Sequence, residues 1–248
     1  MKMDTLSWTQ LNPTVKQVST KKKFFNRYLY KAVVNAPGCR IINDNKILTQ
    51  GAAVCLQHRI EILENQRSGY SNYYRSRAHY LLSHARADQL EYWLDIKNNY
   101  KDIVKLRLEE PHLSVYCNDE DQLYNIVKAN YPDRVNEIHA PENDKSVDIL
   151  NRGEIIVKSQ PEFNYKIMLR ENRLRDNETK RNLLDYLYNL EKEDDVCLTK
   201  SLVKHLGSNN MWFPGGYFYA KDEKVVTFIN LIAPDCIAGI YKMSNPDL

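Results

Sequence analysis

A ten-residue pattern, Pro-x-x-x-x-Tyr-x-x-Asp-Glu, occurs twice without a gap, at Pro111–Glu120 and at Pro214–Glu223. Each copy continues into an apolar-rich stretch, a Pro-Asp pair (Pro132-Asp133, Pro234-Asp235) and two apolar residues three apart (Val135/Ile138, Ile237/Ile240). Upstream of each lies an aromatic-x-Tyr-Lys followed by three apolar residues, at Tyr28–Val34 and at Phe163–Leu169. One unit is duplicated, and the search for an architecture is narrowed to two related halves.

Local patterning gives the content of each half. Tyr28–Val34 has the β-branched and aromatic makeup of a strand and stops at Ala36-Pro37-Gly38. Ala53, Leu56, Ile60 and Leu63 fall at helical spacing within 50–66, and a second helix is expected over 72–98. Val104, Leu106 and Leu108 alternate with Lys105 and Arg107, as in a half-buried strand. Glu109-Glu110-Pro111 turns the chain into a strand at Leu113–Cys117. Asn118 or Asp119 then caps a helix reaching Asn130, and Arg134–Ala140 closes the unit. That order is β-α-β-β-α-β, the ferredoxin-like arrangement.

The second half repeats it with strand 163–170, helix 177–193, a short helix 199–206, strands 210–213 and 217–220, and closing strand Cys236–Lys242. The run ValValThrPheIle in Asp222–Ile232 favours a strand by propensity. The repeat maps the run onto the helix after Asp119 instead, so a helix with Asp222 as N-cap is expected. The predicted fold is α+β: two tandem ferredoxin-like βαββαβ units from an internal duplication. A basic N-terminal arm occupies 1–23, unit one 24–145 and unit two 146–248. Tyr30 and Tyr116 are 86 residues apart, Tyr165 and Tyr219 only 54, so unit one carries a helical insertion.

A net charge of +3 over 248 residues does not by itself demand a polyanionic partner; the distribution of charge has to carry that argument. Five cysteines, odd in number, widely spaced and without a CxxC pair, read as reduced intracellular thiols, not as a disulfide framework or zinc site. MKMDTLSWTQ lacks the apolar core of a signal peptide, and no apolar run approaches the ~20 residues of a membrane span. A cytoplasmic protein, of the host cell or carried in a virion, is expected. Seventeen tyrosines beside abundant Asn, Lys and Ile fit the AT-rich coding bias of phages, other viruses and low-GC bacteria.

Signals for an enzyme are absent. There is no GxGxxG, P-loop, HExxH or GxSxG, and the six histidines show no metal-ligand spacing. No cofactor, metal or catalytic residue is expected, and Asp119-Glu120 and Asp222-Glu223 read as helix starts.

Basic and aromatic residues do cluster. Segment 65–87 holds four arginines, two histidines, four tyrosines and no acid. Arginine interleaved with tyrosine suits nucleic acid, because guanidinium pairs with phosphate and rings stack on bases. Arg67, Tyr73, Arg75, Arg77, His79, His84 and Arg86 are therefore candidate nucleic-acid contacts, set against the plainer reading of an amphipathic helix with a solvated basic face. Lys21, Lys22, Lys23, Arg27 and Lys31 form a second cationic group. Tyr28, Tyr30 and Tyr116, with Phe163, Tyr165, Tyr217 and Tyr219, fall on the first and third strands of the units, where RNA-recognition motifs place stacking rings. Tyr219 is the candidate from the second unit. Gly216–Lys221 (GYFYAK) matches that motif only in part, with Phe218 where a small residue is expected.

The expected function is non-enzymatic binding of RNA or single-stranded DNA. Two alternatives are an assembly or adaptor protein of a phage or virus particle, with Trp8 and tyrosines buried against protein partners, and a metal-independent endoribonuclease. Some CRISPR RNA-processing nucleases use tandem ferredoxin-like units, but their glycine-rich C-terminal loop has no counterpart here.

Overall fold

The computed structural model describes residues 5–65, 80, 82–130, 132–159, 161–171, 173–210 and 213–247. It divides into two compact units, Met1–Asp144 and Lys145–Leu248. The protein is α+β, with a five-stranded mixed sheet in each unit and eight α-helices among the described residues.

Unit one runs α1 (Thr5–Leu11), β1 (Lys16–Ser19), β2 (Tyr30–Asn35), a 3-10 turn (Cys39–Asn43), α2 (Ile47–Asn65) and α3 (Ala87–Asn99). It continues with β3 (Lys105–Glu109), β4 (His112–Cys117), α4 (Glu120–Lys128) and β5 (Val135–Ala140). The sheet order is β1-β5-β2-β4-β3; β1 lies parallel to β5 and the other pairs are antiparallel. Side chains alternate across the pleat, so Ala32, Val34, Leu113, Val115 and Ile138 share one face. They form a core with Leu90, Trp93 and Ile96 of α3 and Leu123, Ile126 and Val127 of α4. The start of α4 follows its sequence: the Asp119 carboxylate accepts the Gln122 N–H at 2.8 Å, satisfying a donor the first turn leaves open.

Two features of unit one add to the sequence expectation. Residues 5–19 of the arm form α1 and β1 and join the unit. Trp8 is 1% exposed in the core, its indole N–H donates to Glu120 Oε1 at 3.0 Å, and its ring meets Tyr124 edge-on at 5.1 Å. Trp8 therefore serves its own fold, not a docking surface for another protein. Nor is the helix over 72–98 continuous: the backbone leaves helical geometry at His84–Arg86, and Arg86 is extended (φ −119°, ψ 121°) before α3 begins. The break sets Ala85 against Gly38, where a Cβ on the glycine would lie 2.7 Å from the Ala85 Cβ.

Unit two runs α5 (Asp144–Asn151), β6 (Ile155–Ile156), β7 (Tyr165–Leu169), α6 (Asn177–Lys192), β8 (Val196–Leu198) and α7 (Lys200–Leu206). β9 (Gly216–Ala220), α8 (Val225–Ile232) and β10 (Ile237–Ser244) complete it. The order is β6-β10-β7-β9-β8, with β6 parallel to β10. Substituting each strand for its counterpart reproduces the order of the first sheet. A helix and a parallel outer strand also precede the first antiparallel strand in each unit. Ile167, Leu169, Phe218 and Ala220 share one core with Leu183 and Leu187 of α6 and Ile229 of α8.

The second strand of the antiparallel set is β8, not 210–213 as expected; Asn210 and Phe213 lie outside any strand, and residues 211–212 are outside the described set. The reason is a buried cation. Lys180 of α6, 1% exposed, donates to the carbonyls of Ser208 (3.4 Å) and Asn210, holding Ser208–Asn210 away from strand pairing. Residues 225–232 form a helix, so tertiary context overrides their strand propensity. The helix begins after Lys224, and Asp222 is not its N-cap; its carboxylate accepts the Lys224 N–H at 2.9 Å in a turn ahead of the helix.

Candidate nucleic-acid interface

The face of the first sheet turned away from the core is crossed by residues 20–28, a strap that leaves β1. Thr20 N–H donates to the Ala140 carbonyl at 2.8 Å, anchoring its start. Phe24 and Tyr28 then exchange backbone hydrogen bonds (2.8 and 2.9 Å) around a three-residue tip. At that tip Phe25 (φ 54°) and Asn26 (φ 56°) both adopt the left-handed conformation. Asn tolerates it, whereas a bulky Phe held there costs on the order of 1–2 kcal/mol. Such local strain persists only where the surroundings hold the residue in place.

Tyr116 is what holds it. On the outer face, Lys105, Tyr116, Lys31 and His139 lie in one row across β3, β4, β2 and β5. Tyr116, 3% exposed, lies beneath Phe24 (5.4 Å), Phe25 (5.0 Å) and Tyr28 (6.3 Å), and Phe24 also meets His139 edge-on at 5.7 Å. The Lys105 ammonium sits 3.6 Å from the centre of the Phe25 ring, Lys31 5.9 Å from both Phe24 and Tyr116, and Arg27 5.2 Å from Tyr28. Phe25 nevertheless remains 48% exposed.

Beside this ring opens a groove of about 710 Å³. Arg27, Lys97, Lys101, Lys105 and Arg107 line it with Phe25, and no acid is among its described lining residues. Arg27 is steadied by the Asp102 carbonyl (3.0 Å) and Lys97 by the Ile42 carbonyl (3.3 Å) and Asn43 (2.7 Å). Arg107 is paired with Glu109 at 2.7 Å, which offsets part of its charge. An exposed ring at the lip of an acid-free cationic groove can stack a base while the groove follows a phosphate backbone.

The predicted contacts divide sharply. Lys21 and Lys22, both exposed, half-buried Lys23, and Arg27 lie on the strap, and Lys31 is in the row beneath it. Arg67, Tyr73, Arg75, Arg77 and His79 lie outside the described residues. Arg86 is paired with Asp88 at 3.3 Å, and the His84 ring packs on Tyr80 at 4.1 Å with Nδ1 2.8 Å from the Tyr80 carbonyl. Tyr30 and Tyr165 turn toward the cores and leave the outer faces. Lys97, Lys101, Lys105, Arg107 and Phe25 were missed. Lys105 and Arg107 were visible as the polar phase of an alternating strand, but nothing in that alternation tells a binding face from a merely solvated one.

Tyr219 lies on the outer face of the second sheet, half-buried, with its ring edge-on to Tyr217 at 5.6 Å. Burial, with Tyr217 beside it, pushes its phenol above the ordinary tyrosine range. Elsewhere, burial and the Glu110 carboxylate push the Cys39 thiol up to about 12, so it stays protonated in the core. Among the described residues no three His, Cys, Asp or Glu side chains converge as metal ligands, and no helix is long and apolar enough to cross a membrane. Comparison with protein-family models, curated proteins and solved structures returns no match to this chain.

Proposed function

We propose that the chain is two copies of one ferredoxin-like unit and binds single-stranded nucleic acid, RNA or DNA, without cleaving it. The duplication is supported by register as well as strand order: Lys31 pairs with Tyr116 as Lys166 pairs with Tyr219. These are the residues that the sequence repeat aligns.

The binding reading rests on the groove lined by five cations and no described acid, with Phe25 exposed at its lip. Phosphate contacts release counterions, so affinity for a labelled oligonucleotide falls steeply with salt. Replacing Arg27, Lys101 and Lys105 together by Gln removes up to three contacts. The slope of log affinity against log salt then drops by about two units, at about 0.7 per contact for single strands. Binding that ignores salt, or a triple variant that binds like the parent, refutes the groove as the site.

A further inference from the structure

The outer face of the second sheet carries the same row as the first. Cys197, Tyr219, Lys166 and Tyr241 occupy the places of Lys105, Tyr116, Lys31 and His139. In the first sheet that row is already occupied: the chain's own Phe24 and Phe25 rings rest on Tyr116, with Lys31 alongside. The strap thus shows that a Lys–Tyr row of this geometry accepts aromatic rings beside a cation, Phe24 tilted at 56° and Phe25 edge-on at 81° to Tyr116.

In the second sheet Tyr217, Tyr219 and Tyr241 all keep part of their surface open. The Lys166 ammonium stands 3.7 Å from the centre of the Tyr217 ring. Tyr241 lies down along the sheet, and the absence of a side chain at Gly239 permits it, since a Cβ there would come 2.8 Å from the Tyr241 hydroxyl oxygen. The face is therefore aromatic and flattened, with the Lys166 cation between Tyr219 and Tyr241.

We infer that this face is a second nucleic-acid site, on which Tyr219 stacks an unpaired base and Lys166 meets the adjoining phosphate. The inference rests on the nucleic-acid reading but not on the groove. Like Phe24 and Phe25 of the strap, a nucleobase brings an aromatic ring to the row, and unlike an apolar side chain it brings the anion that Lys166 complements.

The test uses the full chain and a fluorescein-labelled oligouridylate titrated at several salt concentrations. Tyr219→Leu keeps apolar bulk on the sheet and removes the ring. It should weaken binding about tenfold, the scale of one lost stack, with the salt slope unchanged. Lys166→Gln should lower the slope by about 0.7. Tyr219→Phe keeps the ring and should bind like the parent, while showing that the position tolerates substitution. Parental affinity in Tyr219→Leu overturns the inference, as does equal loss in Tyr219→Phe. A change of oligomeric mass in Tyr219→Leu with binding intact would make the face a protein contact instead. Repeating the series on the Arg27/Lys101/Lys105→Gln background separates the two sites: the groove fails if the triple change is silent, and this face fails if Tyr219→Leu is silent or is matched by Tyr219→Phe.

Discussion

Sheet one and sheet two share strand order, register and a Lys–Tyr pair, yet one row is roofed by its own chain while the tyrosines of the other keep part of their surface open. Tyr116 lies under three rings of the 20–28 strap, while Tyr219 keeps an open side. A repeated motif therefore repeats backbone geometry faithfully and leaves the use of a side chain to whatever segment follows or precedes it. In unit one the tyrosine has become a foundation for an exposed Phe25. In unit two it remains surface.

The largest test of this contrast is to remove each tyrosine in turn. Tyr116→Ala should cost about 3 kcal/mol of unfolding free energy, in the range for deleting a large buried ring, whereas Tyr219→Ala should cost about 1 kcal/mol. Denaturant titrations of the two variants measure both, and equal losses would erase the distinction. A smaller contrast lies where the helix after the third antiparallel strand begins. Asp119 caps α4 but Asp222 only tightens a turn before α8. Asp119→Ala should lose about 1 kcal/mol and Asp222→Ala distinctly less in the same assay.

The smallest effect is the acid sensitivity that His139 brings to unit one. Burial holds the His139 imidazole below its ordinary value of 6.5, against the opposing pull of Glu137 and with Lys31 and Lys16 adding to the lowering. The unfolded chain takes up its proton near 6.5 and the folded one only at lower pH. The contribution is thus complete above 6.5 and is lost as pH falls from there toward the folded value. Melting temperature should drop between pH 7.5 and 5.5, and less so in His139→Asn. Glu137, itself held low by His139 and Lys16 despite partial burial, loses its contribution only at more acid pH. Tyr241 holds the matching register in unit two.

Much of the framework was readable because it is periodic. Alternation placed β3 and β4, and the repeat chose helix over strand for 225–232 against the propensity of Val225, Val226 and Ile229. What failed depends on contacts with no period. A lysine bonds the Ser208 and Asn210 carbonyls and Asn210 lies outside any strand, and three-residue β8 is too short to announce itself. The strap was hidden for a related reason: Lys21–Lys23 made the segment look solvated, while Phe24 and Phe25 were folding it onto the sheet. The groove draws its cations from the strap, from the last turns of α3 and from β3, and no linear window contains all three. Segment 65–87 drew attention by composition alone, and its described end, at His84 and Arg86, is engaged with Tyr80 and Asp88.

β3 is the last strand of its sheet, and its outward Lys105 and Arg107 do more than line a groove. A terminal strand offers unpaired backbone donors and acceptors to any extended chain that approaches, and positive side chains along it repel a like-charged copy. The charges proposed to meet a polyanion thus also guard the protein against polymerising with itself. A bound strand that neutralised them would relax that guard, so solubility and occupancy of the groove are two readings of one electrostatic feature.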